Sequence, residues 1–282
     1  MGSTKSRKIV KQTLLYIVLS LITIYTLSPL VLLVINSFKP QNEIVSNPIA
    51  LPKVFDLSYI TKAMEQINFG SSILITLAIT SASIILIVVA SSLAAWMMVR
   101  NKTKPSKILF FAFTSAMLIP FQAVMYPLLS LFENMGLKNA VGLIIMYGGF
   151  GMSMSVFLFH GFLKSVPQEI EEAGVIDGAG PLRLFFTIVF PLLKGTTVTV
   201  MILNTMWIWN DYLLPFLVIG NSQGIKTLTL ELYFAKLTSG QYGNPWELIF
   251  PAVFVTIIPI IILFIFLQKY IVKGITAGAI KG

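Results

Sequence analysis

Long apolar runs alternate with short polar segments along this chain. A membrane-spanning helix needs about 20 mostly apolar residues, and six stretches reach that length: residues 14–36, 72–99, 108–131, 141–163, 190–220 and 247–268. Pro120, Pro127 and Pro215 interrupt the third and fifth stretches, which we therefore expect to be kinked or broken helices. The pattern predicts an all-α, polytopic membrane protein with six transmembrane helices.

The composition points the same way and limits the chemistry. Of the 282 residues, 56% are hydrophobic and 11% are charged, and the mean hydropathy is +0.86, which is more apolar surface than a soluble core of this size can bury. The chain has no cysteine and a single histidine, His160. We therefore predict no metal site and no catalytic residues, and we expect His160 to be a packing or interface residue.

Basic residues are distributed unevenly about the predicted helices. The net charge is +9, and 14 of the 20 Lys and Arg residues fall in the two termini and the loops after the second and fourth helices. Because cytoplasmic loops are enriched in Lys and Arg, both termini are predicted to be cytoplasmic, and membrane topology explains the charge better than nucleic acid does. We expect a cytoplasmic segment at 1–13, a six-helix transmembrane domain at 14–268 and a cytoplasmic tail at 269–282.

One predicted cytoplasmic loop, residues 167–195, carries an amphipathic segment. Residues at helical spacing give a short helix a carboxylate edge and a small-residue face: Glu169, Glu172, Ile176 and Ala179. Gly178 and Gly180, followed by Pro181, are expected to end that helix. The order of these residues makes an ordinary surface helix the weaker interpretation.

This loop resembles the EAA loop of ABC importer permeases. The matching positions are Glu172, Ala173 and Gly174, then Gly178, then Ile188, Phe190 and Pro191. Gly174 in place of Ala, and Phe190 in place of Leu, depart from the pattern. The central Asp177, Gly178 and Ala179 are similar to the carbohydrate-uptake branch of the family. The resemblance implies that the loop forms a coupling helix that docks on an ATPase subunit through Glu172, Ala173, Gly174, Asp177, Gly178 and Ala179.

The end of the chain resembles the smaller permease subunit of maltose-type transporters. The similar segments are WIWNDYLLP at 207–215 and QKYIVKGITAGAIKG at 268–282. The resemblance implies an ABC type I importer permease fold and import of an oligosaccharide or related carbohydrate by alternating access. It also implies a tail that contacts the ATPase, for which the candidates are Lys273, Gly278, Lys281 and Gly282. The alternative is a solvated basic tail that anchors on anionic lipid.

The expected partners follow from the same resemblance. They are a second permease subunit, two copies of a cytoplasmic ATPase, an extracytoplasmic solute-binding protein, the carbohydrate and membrane lipid, in a bacterial cell membrane. The chain contains no phosphate-binding loop of the G-x-x-x-x-G-K-[ST] type, so we expect it to be a transporter subunit and not an enzyme. ATP and Mg²⁺ are then expected on the partner ATPase, with no cofactor in this chain.

The fifth predicted span carries polar residues that are costly in a bilayer. Asn204, Trp207 and Asp211 are spaced to share one helix face, and Asn210 lies beside it. Such residues usually face a bundle interior or an aqueous path, and an aromatic ring with amide and carboxylate groups suits a sugar. The sequence therefore predicts a translocation path through these four residues. Alternatively, the aromatic residues form an interfacial belt and Asp211 lies near the outer headgroups.

Other functions remain open at this stage. The loop pattern alone does not select the solute, so an importer for glycerol phosphate or a polyamine is the nearest alternative. A secondary transporter or channel would be expected to carry more acidic residues at the bilayer centre. A membrane-embedded enzyme is weaker still, because the spans lack His pairs and clustered carboxylates.

Overall fold

A computed structural model describes residues 2–220, 224–240 and 243–279 of the chain, with side chains described for 9–220, 224–237 and 243–266. The regular elements in these ranges are helices, and the all-α prediction is confirmed. They are α1 (Gly2–Asn36), α2 (Gln41–Ser46), α3 (Ser58–Gln66), α4 (Phe69–Arg100), α5 (Lys104–Ala116), α6 (Phe121–Asn134), α7 (Ala140–Leu163), α8 (Glu169–Ile176), α9 (Pro181–Leu184), a π-helix (Phe185–Val189), α10 (Phe190–Leu192), α11 (Lys194–Asn210), α12 (Leu213–Ile219), α13 (Leu228–Gly240) and α14 (Trp246–Ala279).

The chain divides into two compact units. The first contains Met1–Asn68 and Phe234–Ile258. Its first helix, α1, is exposed along nearly all of its described apolar length, as expected of a helix that meets lipid or another subunit. The loop after α1 is fixed by the buried Lys39, whose ammonium group donates to Asn36 Oδ1 at 3.2 Å and to the carbonyls of Asn47 at 3.2 Å and Pro48 at 3.4 Å.

The second unit contains Phe69–Tyr233 and Pro259–Gly282, and α4 packing against α7 forms its centre. Two glycines of α7 allow this close approach. A Cβ atom on Gly148 would lie 2.6 Å from Leu86 Cδ2, and one on Gly151 would lie 2.4 Å from Ile87 Cδ1 and 2.6 Å from Asn204 Oδ1. Small residues let helices approach closely in membranes, so these two glycines serve the packing of α7 against α4.

Four helical segments of the described chain are long and apolar enough to cross a membrane: Ile9–Asn36, Phe69–Arg100, Ala140–Leu163 and Trp246–Phe266. Two bent pairs also qualify if each pair is taken as one span. α5 and α6 meet at 107°, and Pro181–Leu192 meets α11 at 79°. The count of six crossings is compatible with this arrangement and stays a prediction.

A proline explains the bend in the predicted third span but not the break at Asp211 in the fifth span. Pro120 precedes α6 at the 107° bend, where its ring disfavours helical backbone in the residue before it. In the fifth span the helix breaks at Asp211, whose backbone is extended (φ −77°, ψ 131°), whereas Pro215 lies inside α12. The predicted continuous face through Asp211 is therefore wrong, because α11 ends at Asn210.

The last helix extends beyond its predicted apolar span. The hydropathy pattern ends at residue 268, but α14 continues to Ala279. Hydropathy locates where a chain leaves an apolar layer, and a helix without proline does not have to stop there. Lys273 and Gly278 lie on the helical backbone, outside the residues with described side chains, and Lys281 and Gly282 lie outside the described residues. The boundaries 1–13, 14–268 and 269–282 stay predictions.

Candidate functional site: the clamped helix α8

The helix predicted in the loop after the fourth span is α8 (Glu169–Ile176). Three glutamates occupy its first turn, where negative charge stabilises the helix N-terminus. Its C-terminus is a Schellman motif, because Ala179 N–H donates to Gly174 O and Gly178 N–H donates to Val175 O, each at 3.0 Å. Gly178 has φ +80°, a left-handed conformation that glycine adopts without a steric penalty. The predicted glycine stop is thus present, one turn before Pro181.

A buried carboxylate fixes α8 to the end of α4. Glu171 is 7% exposed. Its Oε1 accepts from Arg100 Nη2 at 2.6 Å and Nε at 2.9 Å, and its Oε2 accepts from Trp96 Nε1 at 2.9 Å. Arg100 Nη2 also donates to the carbonyl of Val166 at 3.1 Å. Charge-assisted bonds to arginine are among the strongest in proteins, so this clamp orients α8 relative to α4.

The inner side of α8 packs against the segment that follows it. Trp96 of the clamp lies with its ring centroid 5.3 Å from that of Phe185 in the π-helix. Gly174 is buried, and a Cβ atom there would lie 2.5 Å from Ile188 Cδ1 and 2.8 Å from Leu184 Cδ1. The departure from the EAA pattern at Gly174 therefore has a structural reason. Because glycine has no side chain, Ile188 and Leu184 can pack directly against the backbone of α8.

The outer side of α8 is exposed and partly apolar. On α8, Ile176 is 85% exposed and Val175 is 58% exposed, and Glu172 and Ala173 are also exposed. Leu182, in the short helix α9 that follows, is 70% exposed. We refer to these five residues as the outer face. A groove of about 410 Å³ runs along the helix and is lined by Arg100, Gln168, Glu171, Glu172, Val175, Ile176 and Leu184. Apolar side chains this exposed, beside carboxylates and at the end of an anchored helix, are typical of a contact surface for another protein.

The structure separates the predicted coupling residues. Glu172, Ala173, Asp177 and Gly178 are exposed. Ala179 is half-buried and Gly174 is buried. Sequence reasoning missed Glu171, the residue that anchors the helix. The available signal was Trp96 and Arg100, which are spaced four apart at the end of the second predicted span and so share a helix face.

The predicted path residues are also distributed differently from expectation. Asn204 is 6% exposed and lies inside the second unit, where its Nδ2 donates to Ser155 Oγ at 3.1 Å and to Val200 O at 2.9 Å. Trp207 is 41% exposed, and Asn210 is exposed with its Nδ2 donating to Met206 O at 2.7 Å. The structure thus brings Trp207 and Asn210 to an accessible surface and places Asn204 in the helix packing.

Asp211 organises the break after α11. Its Oδ1 accepts from the backbone N–H of Leu213 at 3.0 Å, capping α12, and its Oδ2 accepts from the hydroxyl of buried Tyr147 at 3.0 Å. Its carbonyl accepts from Thr229 Oγ1 at 2.7 Å. The ring centroids of Tyr147 and Trp207 are 5.4 Å apart in an edge-to-face arrangement. These bonds give Asp211 a structural role in holding three segments of the second unit together.

Comparisons with known proteins agree with this architecture. A family profile described as "binding-protein-dependent transport system inner membrane component" matches residues 87–277. The chain is 42% identical over 269 residues to the probable starch degradation products transport system permease protein AmyC of Thermoanaerobacterium thermosulfurigenes, covering 95% of this chain and 96% of that protein. It is 36% identical over 259 residues to the melibiose/raffinose/stachyose import permease protein MelC of Bacillus subtilis strain 168, covering 90% and 91%.

A solved structure shares the fold. A chain of a bacterial ABC transporter that imports the acidic polysaccharide alginate matches with a TM-score of 0.76 and 19% identity, covering 96% of this chain and 98% of that chain. The two chains therefore share one all-helical fold. The chain belongs to the family of binding-protein-dependent transport system inner membrane components. It is a transport subunit and not an enzyme, and members of this family work with a second permease, an ATPase and a binding protein.

Proposed function

We propose that this chain is one of two different permease subunits of an ATP-driven importer for an oligosaccharide or related carbohydrate. Relatives at 42% and 36% identity over at least 90% of the chain are named for starch degradation products and for melibiose, raffinose and stachyose, which supports the substrate class. ATP and Mg²⁺ then bind to two copies of a partner ATPase, and an extracytoplasmic binding protein delivers the sugar. Both termini lie in the cytoplasm of a bacterial cell.

The observation that carries this proposal is the division of α8 into an anchored side and an outer face. Glu171 connects the helix to Arg100 at the end of membrane-length α4. A displacement of the outer face is therefore transmitted to α4 through the two hydrogen bonds between Glu171 and Arg100. Without these bonds, α8 would move and α4 would stay in place. ATPase closure would displace α8, and α4 would move with it to switch the accessible side of the path.

Within the path, we propose that Trp207 and Asn210 contact the sugar. The two side chains are accessible on adjacent turns of α11, and an indole ring with an amide is suited to a pyranose. Asp211 supports them by holding Tyr147 against Trp207. Contact of the tail residues Lys273, Gly278, Lys281 and Gly282 with the ATPase is part of the same proposal.

The test is to purify the chain with its native partners from wild-type cells and from cells that carry Ile176→Asp. A charge at the most exposed apolar residue of the outer face is expected to remove the ATPase while the second permease is retained. Thr103→Asp is the matched control, because it adds the same charge to an exposed residue before α5. Wild-type complex without any ATPase, or equal ATPase recovery in both variants, would contradict the proposal.

Substrate class is tested separately on the purified complex in proteoliposomes. ATP-dependent uptake of labelled maltotriose or raffinose is expected, with the binding protein present, and neither glycerol phosphate nor spermidine should compete. Uptake of glycerol phosphate in place of the sugars would show that the transporter imports glycerol phosphate and not a carbohydrate. ATP-independent uptake driven by an ion gradient would exclude the importer mechanism itself.

A further inference from the structure

A basic cavity lies beside the clamp and shares Arg100 and Gln168 with the groove along α8. It has a volume of about 480 Å³ and lies where α4, α5 and α7 meet. α4 ends at Arg100 and α7 ends at Leu163. Both helices are long enough to span a bilayer, and a helix that spans it would place its ends near the level of the lipid headgroups.

The lysine charges of this cavity are uncompensated. Its lining includes the four cations Arg100, Lys102, Lys107 and Lys164 and no carboxylate. Arg100 is neutralised by Glu171. Across the residues whose side chains are described, the three lysines have no carboxylate within ion-pair distance. A concave surface with three unpaired cations attracts an anion with several oxygen acceptors, such as a phosphate.

The wall of the cavity is aromatic and continues onto an apolar surface. Phe110 stacks on His160 with ring centroids 3.8 Å apart, and Lys164 Nζ lies 5.9 Å from the centroid of Phe110. Phe111, which also lines the cavity, is 67% exposed. Next to it on α5, Ile108 is 67% exposed. A ligand here therefore meets cations at one end and apolar surface of a membrane protein at the other.

We propose that this cavity binds an anionic phospholipid, with the phosphate of the headgroup between Lys102, Lys107 and Lys164 and an acyl chain along Phe111. The apolar continuation favours a lipid over a free phosphate ion, which would gain nothing from it. Basic pockets between the ends of membrane helices recognise anionic headgroups in this way. The bound lipid would also lie next to Arg100, and so next to the anchor of α8.

The test uses the complete transporter, freed of lipid in detergent and titrated with dioleoyl phosphatidylglycerol while native mass spectrometry counts bound lipid. One tight site is expected. Lys107→Gln with Lys164→Gln should weaken it about 30-fold, since each basic residue near an anionic membrane surface contributes a factor of about five and two of them are removed. Lys104→Gln with Lys194→Gln is the matched control. Both of these lysines are exposed on the same predicted side, and neither lines the cavity.

Each other outcome would overturn the proposal. Equal binding of dioleoyl phosphatidylcholine would show that headgroup charge is not recognised, and equal binding by both double variants would place the lipid elsewhere. Binding of soluble glycerol phosphate as tightly as the lipid would indicate a free-phosphate site. Cross-links from Lys107 to the ATPase in a complex that binds no phosphatidylglycerol would indicate that a protein segment fills the cavity. Thermal unfolding of the lipid-free variants at the wild-type temperature establishes that they are folded.

Discussion

Replacing Glu171 by Gln tests whether the clamp on α8 is an energetic anchor. Gln keeps the size and one acceptor oxygen of the side chain but removes its charge. In the wild type the Glu171 carboxylate accepts two bonds from Arg100 and one from Trp96. In the variant an amide NH₂ group has to face one of these donors, so at least one bond is lost and the guanidinium charge of Arg100 is no longer balanced.

The expected cost follows from burial and bond type. The Glu171 side chain is 9% exposed and that of Arg100 is 17% exposed, so water screens the pair weakly. A hydrogen bond to a charged group contributes about 1.5–3 kcal/mol, against about 0.5–1.5 for a neutral one. Loss of one charge-assisted bond, with the half-buried Arg100 left without its counter-charge, therefore gives a cost of about 2–3 kcal/mol for Glu171→Gln. At 1.4 kcal/mol per factor of ten, local opening of α8 should become about 30- to 150-fold more frequent.

Hydrogen exchange of the α8 amides in the purified transporter measures that opening. The expected result is faster exchange across 171–176 in Glu171→Gln, with a loss of uptake per ATP hydrolysed. Glu172→Gln is the matched control, because Glu172 is the neighbouring carboxylate and is exposed. If both variants protect the α8 amides equally, the clamp does not anchor the helix and the coupling argument based on it fails.

Three further predictions concern single positions. Gly178→Ala should destabilise the end of α8 by about 1 kcal/mol, because φ +80° is unfavourable for a side chain, whereas Gly180→Ala, with φ −68°, should leave exchange of the α8 amides unchanged. Asn204→Ala should lower the free energy of unfolding by about 0.6 kcal/mol through the lost interhelical hydrogen bond and leave the KM for sugar uptake unchanged. A raised KM would show that Asn204 contacts the sugar. Lys39→Met should lower the free energy of unfolding by about 1–3 kcal/mol, because it removes the donor to the buried Asn36 Oδ1 and to the part-buried carbonyl of Asn47; thermal unfolding beside the exposed control Lys53→Met measures this, and equal melting temperatures would refute it.

The elements of this fold that sequence reasoning predicts well are those set by local chemistry. The predicted spans at 72–99 and 141–163 differ by only a few residues from α4 and α7, because uninterrupted apolar runs have to form helices in lipid. The C-terminus of α8 was also predictable, since Gly178 followed by Gly180 and Pro181 cannot continue a helix.

The features that were not predictable depend on contacts between distant residues. The break at Asp211 needs Tyr147 and Thr229 as partners, and these lie 64 and 18 residues away. For the same reason, helical spacing predicts that Asn204 lies beside Trp207 on the path. In the structure Asn204 is instead buried against α7, where it donates to Ser155. Helical spacing fixes which residues share a face, but only the neighbouring helix decides whether that face is buried.

The two adjacent glutamates of α8 show how this limit affects the candidate site. Glu171 and Glu172 have the same chemistry and both lie in the first turn, yet one is buried on Arg100 and the other is exposed. The EAA resemblance selects Glu172, the residue on the outer face, and it says nothing about Glu171. A surface that transmits movement requires both glutamates, because the exposed Glu172 can transmit force to α4 only if Glu171 holds α8 against it. Loss of coupling in Glu171→Gln with the ATPase still bound would separate anchoring from docking, and Ile176→Asp should give the reverse pattern, with α8 protected and the ATPase lost.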